Sequence, residues 1–168
     1  MGTPDFANEL SQMTVETVLD SAEADMHRVL FASETLVAML IERNVDLVTY
    51  EAGQGMVSSG TQQDNPAVQE LFNTVNRHPR MYDLYTEYLE SWEQFGGLMV
   101  LFTDIRRYDR WSSYGLLERW DQSIFEAHKY RAVTDFLQAS HQGPAPFLSF
   151  PTSSLNFGDV NIGTTETL

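Results

Sequence analysis

The chain contains no cysteine. That excludes disulfides, thiolate metal sites and a cysteine nucleophile, and it leaves the compartment open because secreted proteins need not use disulfides. Cations are scarce: 10 Lys and Arg stand against 24 Asp and Glu, for a formal net charge of -14. Phosphate groups are bound by clustered cations, so this balance argues against nucleic acid and against an anionic membrane surface, and it suits a neutral ligand or simple solubility. The four histidines are scattered, with none at ligand spacing to another, so no metal is expected, and nothing in the sequence requires a cofactor. No apolar run reaches membrane-spanning length, so no membrane insertion is expected. Met1 to Gln12 lacks a basic stretch followed by an apolar one, so no signal peptide is read there.

What is present is material for a packed core. The 168 residues are 42% hydrophobic and 12% aromatic, enough for one globular domain. The most telling stretch is Asp46 to Gly55. Leu47, Val48, Thr49 and Tyr50 have the β-branched and aromatic bias of a short buried strand, which delivers Glu51, and Gly53 and Gly55 then interrupt regular pairing. A carboxylate at the end of a strand is what a parallel α/β sheet presents at its carboxyl edge, where such folds place their chemistry. Such a Glu also commonly pairs with a nearby Arg or caps the next helix.

Taken in order, residues 1–13 read as a loop. A helix then starts at Thr14, with Glu16 in its first turn and apolar residues at helical spacing from Val15 to Ile41, and a bend is expected near Phe31 to Glu34. Arg43-Asn44 supplies a basic last turn and a residue that tolerates the left-handed cap. Met56 to Asn65 is a polar loop, and Pro66 opens a helix that buries Val68, Leu71, Phe72 and Val75. Asn76 to Pro79 interrupts it before a helix from Arg80 to about Phe95. There Tyr82, Tyr85, Leu89 and Trp92 form one stripe, more often core than ligand platform. Leu98 to Thr103 is the second strand, apolar throughout as a doubly covered parallel strand would be. A polar and aromatic loop, Asp104 to Tyr114, follows, and a last helix from about Phe125 to Ala139 turns Phe125, His128, Ala132, Val133, Phe136 and Leu137 inward. Strand, helices and strand make a β-α-β unit, which puts Glu51 and the Trp111 loop on the same edge. A carboxylate facing aromatic and amide side chains suits sugar, since aromatic faces stack on sugar rings while Gln and Asp bond hydroxyls.

Four blocks carry a resemblance: Tyr50-Glu51-Ala52-Gly53-Gln54, Asn76-Arg77-His78-Pro79-Arg80-Met81-Tyr82, Trp111-Ser112-Ser113-Tyr114-Gly115 and Lys129-Tyr130-Arg131-Ala132. Over roughly residues 14 to 139 the chain resembles the C-terminal part of a bacterial group of large proteins related to clan A glycoside hydrolases. In that group the corresponding stretches tend to read YEGGQH, NRDPRM, WGSWG and KYRAL. The resemblance implies an α/β fold, a helix-rich partial (β/α)8 barrel over residues 1–142, in which Glu51 ends the seventh strand as the nucleophile of a retaining enzyme. Gln54, Asp104, Trp111 and Tyr114 would be its substrate-binding residues and a polysaccharide or glycan its partner. Ala52 replaces a glycine, Gly55 stands where a His is expected, and Ser112 and Tyr114 replace Gly and Trp, so contacts near Glu51 differ from the pattern. A full barrel takes about 250 residues. A retaining site also needs a second carboxylate about 5 Å from the first. In the family that acid/base lies on an earlier strand, and Asp104 is the nearest candidate here.

Residues 143–150, with Gly143-Pro144-Ala145-Pro146, read as a linker. Residues 151–168 resemble the start of an immunoglobulin-like domain of bacterial surface proteins, so the chain is expected to be part of a larger multidomain protein, with an extracellular or cell-surface location favoured by the resemblance. The rest of the parent barrel or an oligomeric partner would cover its open edges. Three functions are open: part of a glycoside hydrolase with Glu51 as nucleophile, a non-catalytic carbohydrate-binding or adhesive module, or a structural interaction segment of a secreted or virion protein.

Overall fold

The computed structural model describes residues 10, 12–58, 62–95 and 97–140, so the linker and the immunoglobulin-like stretch lie outside the described residues. The element order is α1 (Val15–Ile41), β1 (Thr49–Ala52), α2 (Pro66–Arg77), α3 (Arg80–Glu93), β2 (Met99–Leu101) and α4 (His128–Ser140). Thr14 caps α1 by accepting a hydrogen bond from the Thr17 amide. The helix runs over 27 residues with no break at Phe31 to Glu34. Beyond it Asn44 takes the left-handed conformation, φ 53°, that the sequence anticipates there. Asn65 caps α2, and Pro66 occupies its first turn.

The core joins the first half of α1 to α2, α3, α4 and the 108–117 loop. It is built on Val18, Leu19, Val68, Phe72, Val75, Met81, Leu84, Tyr85, Leu116 and Ala132. Of the aromatic stripe on α3, Tyr85, Leu89 and Trp92 are buried, and Tyr82 is half-buried with its hydroxyl donating to Asp135 at 3.0 Å. Arg80, at the start of α3, clamps α3 to α1: its guanidinium reaches Glu16 and Asp20 at 2.8 Å and Glu23 at 2.7 Å. Three carboxylates on one guanidinium hold it firmly in the charged form.

β1 and β2 form a two-stranded parallel sheet, as expected for the two apolar runs and the helical crossover between them. Thr49 pairs with Met99 and Ala52 with Leu101, so β1 carries one more residue than β2 between the two pairings. This is a bulge, and the paired segment of β1 is Thr49–Ala52, two residues later than the expected Leu47 to Tyr50.

The expected partial (β/α)8 barrel is not present: among the described residues two short strands pair only with each other and helices make up most of the structure. An arc of barrel would require further strands flanking this pair. The apolar residues before β1 recur at helical spacing and fold as α1. The 104–127 segment folds into turns held by local bonds, such as Asp109 Oδ1 accepting from the amides of Trp111 and Ser112. Phe125, expected to point inward, is 77% exposed. It lies in the turn Ser123 to Ala127, where the Ser123 carbonyl accepts from Glu126 and Ala127, and the helix starts only at His128.

Candidate functional site

The four sequence blocks meet at the carboxyl end of the parallel pair, and there they divide into a buried knot and an exposed edge. Lys129 is at the centre of the knot. It lies in the first turn of α4 and is 1% exposed, and its ammonium donates to Asn76 Oδ1 and to the Ser113 carbonyl, both at 2.8 Å. Its Nζ also sits 4.8 Å from the centre of the Tyr108 ring. Asn76 is fixed in turn by donating to the Phe72 carbonyl at 2.9 Å, and the Ser113 hydroxyl donates to Asn73 Oδ1 at 3.0 Å. All these acceptors are neutral. Burial therefore lowers the Lys129 pKa to about 7, and the field of Glu118 offsets only part of that. Glu118 itself is held by Arg77 through two bonds of 2.6 and 2.7 Å.

Gln54 ties the β1 loop into the same knot. Its Nε2 donates to the Ser113 carbonyl at 2.9 Å, and its Oε1 accepts from the Met56 amide at 2.6 Å. Both ends of this amide are thus engaged within the protein. Tyr108 closes the 108–115 loop by donating to the Gly115 carbonyl at 2.9 Å. A Cβ at Gly115 would overlap the backbone of Leu117 and of Arg106, so only glycine permits this approach of the chain to itself.

The edge is built differently. Glu51 is exposed, and among the described residues its carboxylate has no hydrogen bond or ion pair. Its backbone has φ 55°, the left-handed region that a side chain rarely adopts, and Gly53 follows at φ 127°. The strain sits in the bulge, where the extra residue has no partner on β2. Across the pair, the Ala52 carbonyl accepts from Phe102 at 2.8 Å, and the Phe102 ring meets Tyr114 edge-on at 5.6 Å. Trp111 is 53% exposed, and the Arg110 guanidinium stacks 4.2 Å from its ring. Asp104 is exposed beyond the end of β2, and its carbonyl accepts from Leu117 at 3.0 Å.

Of the five residues expected to form a site, the structure brings Gln54 and the Ser113-Tyr114 segment together by a direct bond. It sets Glu51 within the bulge of β1, Asp104 beyond the end of β2 and Trp111 on the surface. Two clefts flank this region. One, of about 320 Å³, is lined by Gln54 but not by Glu51, Trp111 or Tyr114; the other, of about 530 Å³, runs beside β2 and α4 and includes Asp104.

Sequence reasoning missed Lys129 and Asn76 as the residues that assemble this region. A signal for Lys129 was present: it stands with Ala132, Val133 and Phe136 at i, i+3, i+4 and i+7, a charge on the apolar stripe of its helix. No helix among the described residues is long and apolar enough to cross a membrane. Comparison with protein-family models, with curated proteins and with solved structures finds no match to this chain.

Proposed function

We propose that the chain is part of a carbohydrate-active protein and that the carboxyl edge of β1 and β2 is its glycan-facing surface, with Glu51 as the reactive carboxylate. The observation that carries this reading is the state of Glu51. It is held at φ 55° in a bulge, exposed and without a partner among the described residues, and the next residue, Ala52, is hydrogen-bonded to Phe102, whose ring meets Tyr114. A fold gains nothing from a strained glutamate that bonds to nothing, whereas a reacting carboxylate has to be free and aimed. In a retaining reaction one Glu51 oxygen attacks the anomeric carbon as a second carboxylic acid protonates the leaving oxygen. Water then cleaves the glycosyl ester with that second group as base. We assign that second role to Asp104, which is exposed beyond the end of the adjacent strand. The sequence resemblance supports the same role for Glu51.

A second reading, a module that holds glycan without cutting it, is favoured by the openness of the edge, since neither cleft includes Glu51, Trp111 or Tyr114. One variant separates the two. Glu51→Gln should abolish release of reducing ends from a mixed polysaccharide panel and leave glycan binding intact, because an amide keeps shape and hydrogen-bonding reach but cannot form the ester. Binding without hydrolysis in both proteins supports the second reading. Absence of both binding and hydrolysis in the unmodified chain rejects carbohydrate altogether.

A further inference from the structure

We propose that the 320 Å³ cleft between α1, α3 and the 53–56 loop binds a compact, neutral, aromatic molecule that carries one oxygen acceptor. Its volume lies at the small end of ligand pockets, and its walls are those of a ligand site: Met26 and Val29 from α1, Met56 from the loop, and Met81 and Leu84 from α3. Thioethers are polarisable and adapt their shape, and they pack well against aromatic rings. The charge at the cleft is already matched, because Asp25 is paired with Arg28 at 2.6 Å. A charged ligand would therefore enter an apolar site without a counter-charge, which makes the occupant neutral.

The specificity of the cleft comes from Tyr85. This residue lines the cleft and is 4% exposed. Its oxygen accepts from the Gln54 amide at 3.4 Å, but its own O–H proton has no acceptor among the described residues. A buried hydroxyl that leaves its proton unused loses the bond water would have given it, and a ligand oxygen restores that bond. The approach is open because Gly53 faces the hydroxyl: a Cβ there would stand 3.1 Å from the Tyr85 oxygen. Gly55, also on the wall, has nothing within 4 Å of where its Cβ would lie.

The test is a titration of the chain with acetophenone and with α-methylstyrene, its near-isostere in which CH2 replaces the carbonyl oxygen, followed by methyl NMR of the methionines. Acetophenone should shift the Met26, Met56 and Met81 methyl signals saturably, and α-methylstyrene should bind about threefold to tenfold more weakly for lack of the hydrogen bond. Tyr85→Phe should remove that difference between the two probes. Gly55→Leu, which adds bulk where the backbone has room for it, should weaken both at least tenfold with an unchanged circular dichroism spectrum. The proposal is overturned if neither probe gives a saturable shift, if all methionines shift alike, or if Gly55→Leu leaves both affinities unchanged. It is equally overturned if the two probes bind alike to the unmodified chain, or if their ratio survives Tyr85→Phe in a variant whose spectrum is native.

Discussion

Lys129 and Glu51 are both charged residues drawn from the blocks that make up the carboxyl end of the sheet, yet the structure treats them in opposite ways. Lys129 is withdrawn from water, bonded to neutral acceptors and roofed by an aromatic ring. Glu51 is left in water, unbonded among the described residues and in a backbone conformation that costs energy to hold. The contrast teaches which residues build the region and which are presented by it. Lys129, Asn76, Gln54 and Ser113 tie α2 and α4 to the loop after β1 and to the 108–115 loop, and the bulge beside them can then keep a strained residue in place.

The largest effect should come from the knot. Lys129→Ala removes a buried side chain and leaves Asn76 Oδ1 without its donor, so we expect a loss of about 3 kcal/mol, read from the midpoint of urea unfolding. A loss below about 1 kcal/mol would mean that the knot does not hold the loops and would erase the contrast with Glu51.

The pH dependence sharpens the same point. Lys129 has a pKa of about 7 when folded against 10.5 for an ordinary lysine. Between these values the unfolded chain holds a proton that the folded chain has released, so the contribution of Lys129 to stability rises as pH increases from about 7 towards 10. It is smallest below 7, with a slope of at most about 1.4 kcal/mol per pH unit. Above about pH 10 the buried phenols of Tyr85 and Tyr108 act in the opposite sense, because burial raises their pKa values and the unfolded phenols lose protons first. Lys129→Met should flatten the rise between pH 7 and 10, as measured by urea midpoints at half-unit intervals. A rise that persists in the variant would assign it to other groups.

A smaller effect is expected at the sheet itself, whose two faces differ. Leu101 packs on the core, whereas Val48, Tyr50, Leu98, Val100 and Phe102 are exposed, Tyr50 by 81%. Parallel strands are normally covered on both faces, and a bare face of this kind invites a second copy. We expect concentration-dependent self-association in sedimentation equilibrium, and we expect Tyr50→Lys with Val100→Lys to abolish it while changing stability by no more than about 0.5 kcal/mol. A monomer at all concentrations before mutation would refute this.

The sequence revealed the elements better than it revealed their use. The helices were visible in their caps and spacing, at Thr14 and Pro66 and in the α3 stripe, because these signals are local. The parallel pair followed from two apolar runs and a helical crossover. The barrel did not follow, because strand number is set by long-range pairing, and two runs cannot specify how many strands flank them. The end of regular pairing could be anticipated from Gly53 and Gly55, but not the unbonded carboxylate of Glu51. Its left-handed φ could not, since that comes from a register shift against β2 that no local pattern encodes. Lys129 was passed over because a lysine among apolar residues is ordinarily a side chain that reaches solvent, and the acceptors that hold it in come from the distant Asn76 and Ser113.

The most direct test of the account is the stability of Glu51→Gly. If Glu51 is held in a left-handed bulge for its chemistry and contributes no bond to the fold, glycine relieves the strain, and the chain should gain about 1 kcal/mol, seen as a melting temperature about 2–4 °C higher. The same variant should lose any activity that depends on the carboxylate. An unchanged or lowered melting temperature would contradict the account, because it would mean that the Glu51 side chain is tied into the structure and serves the fold.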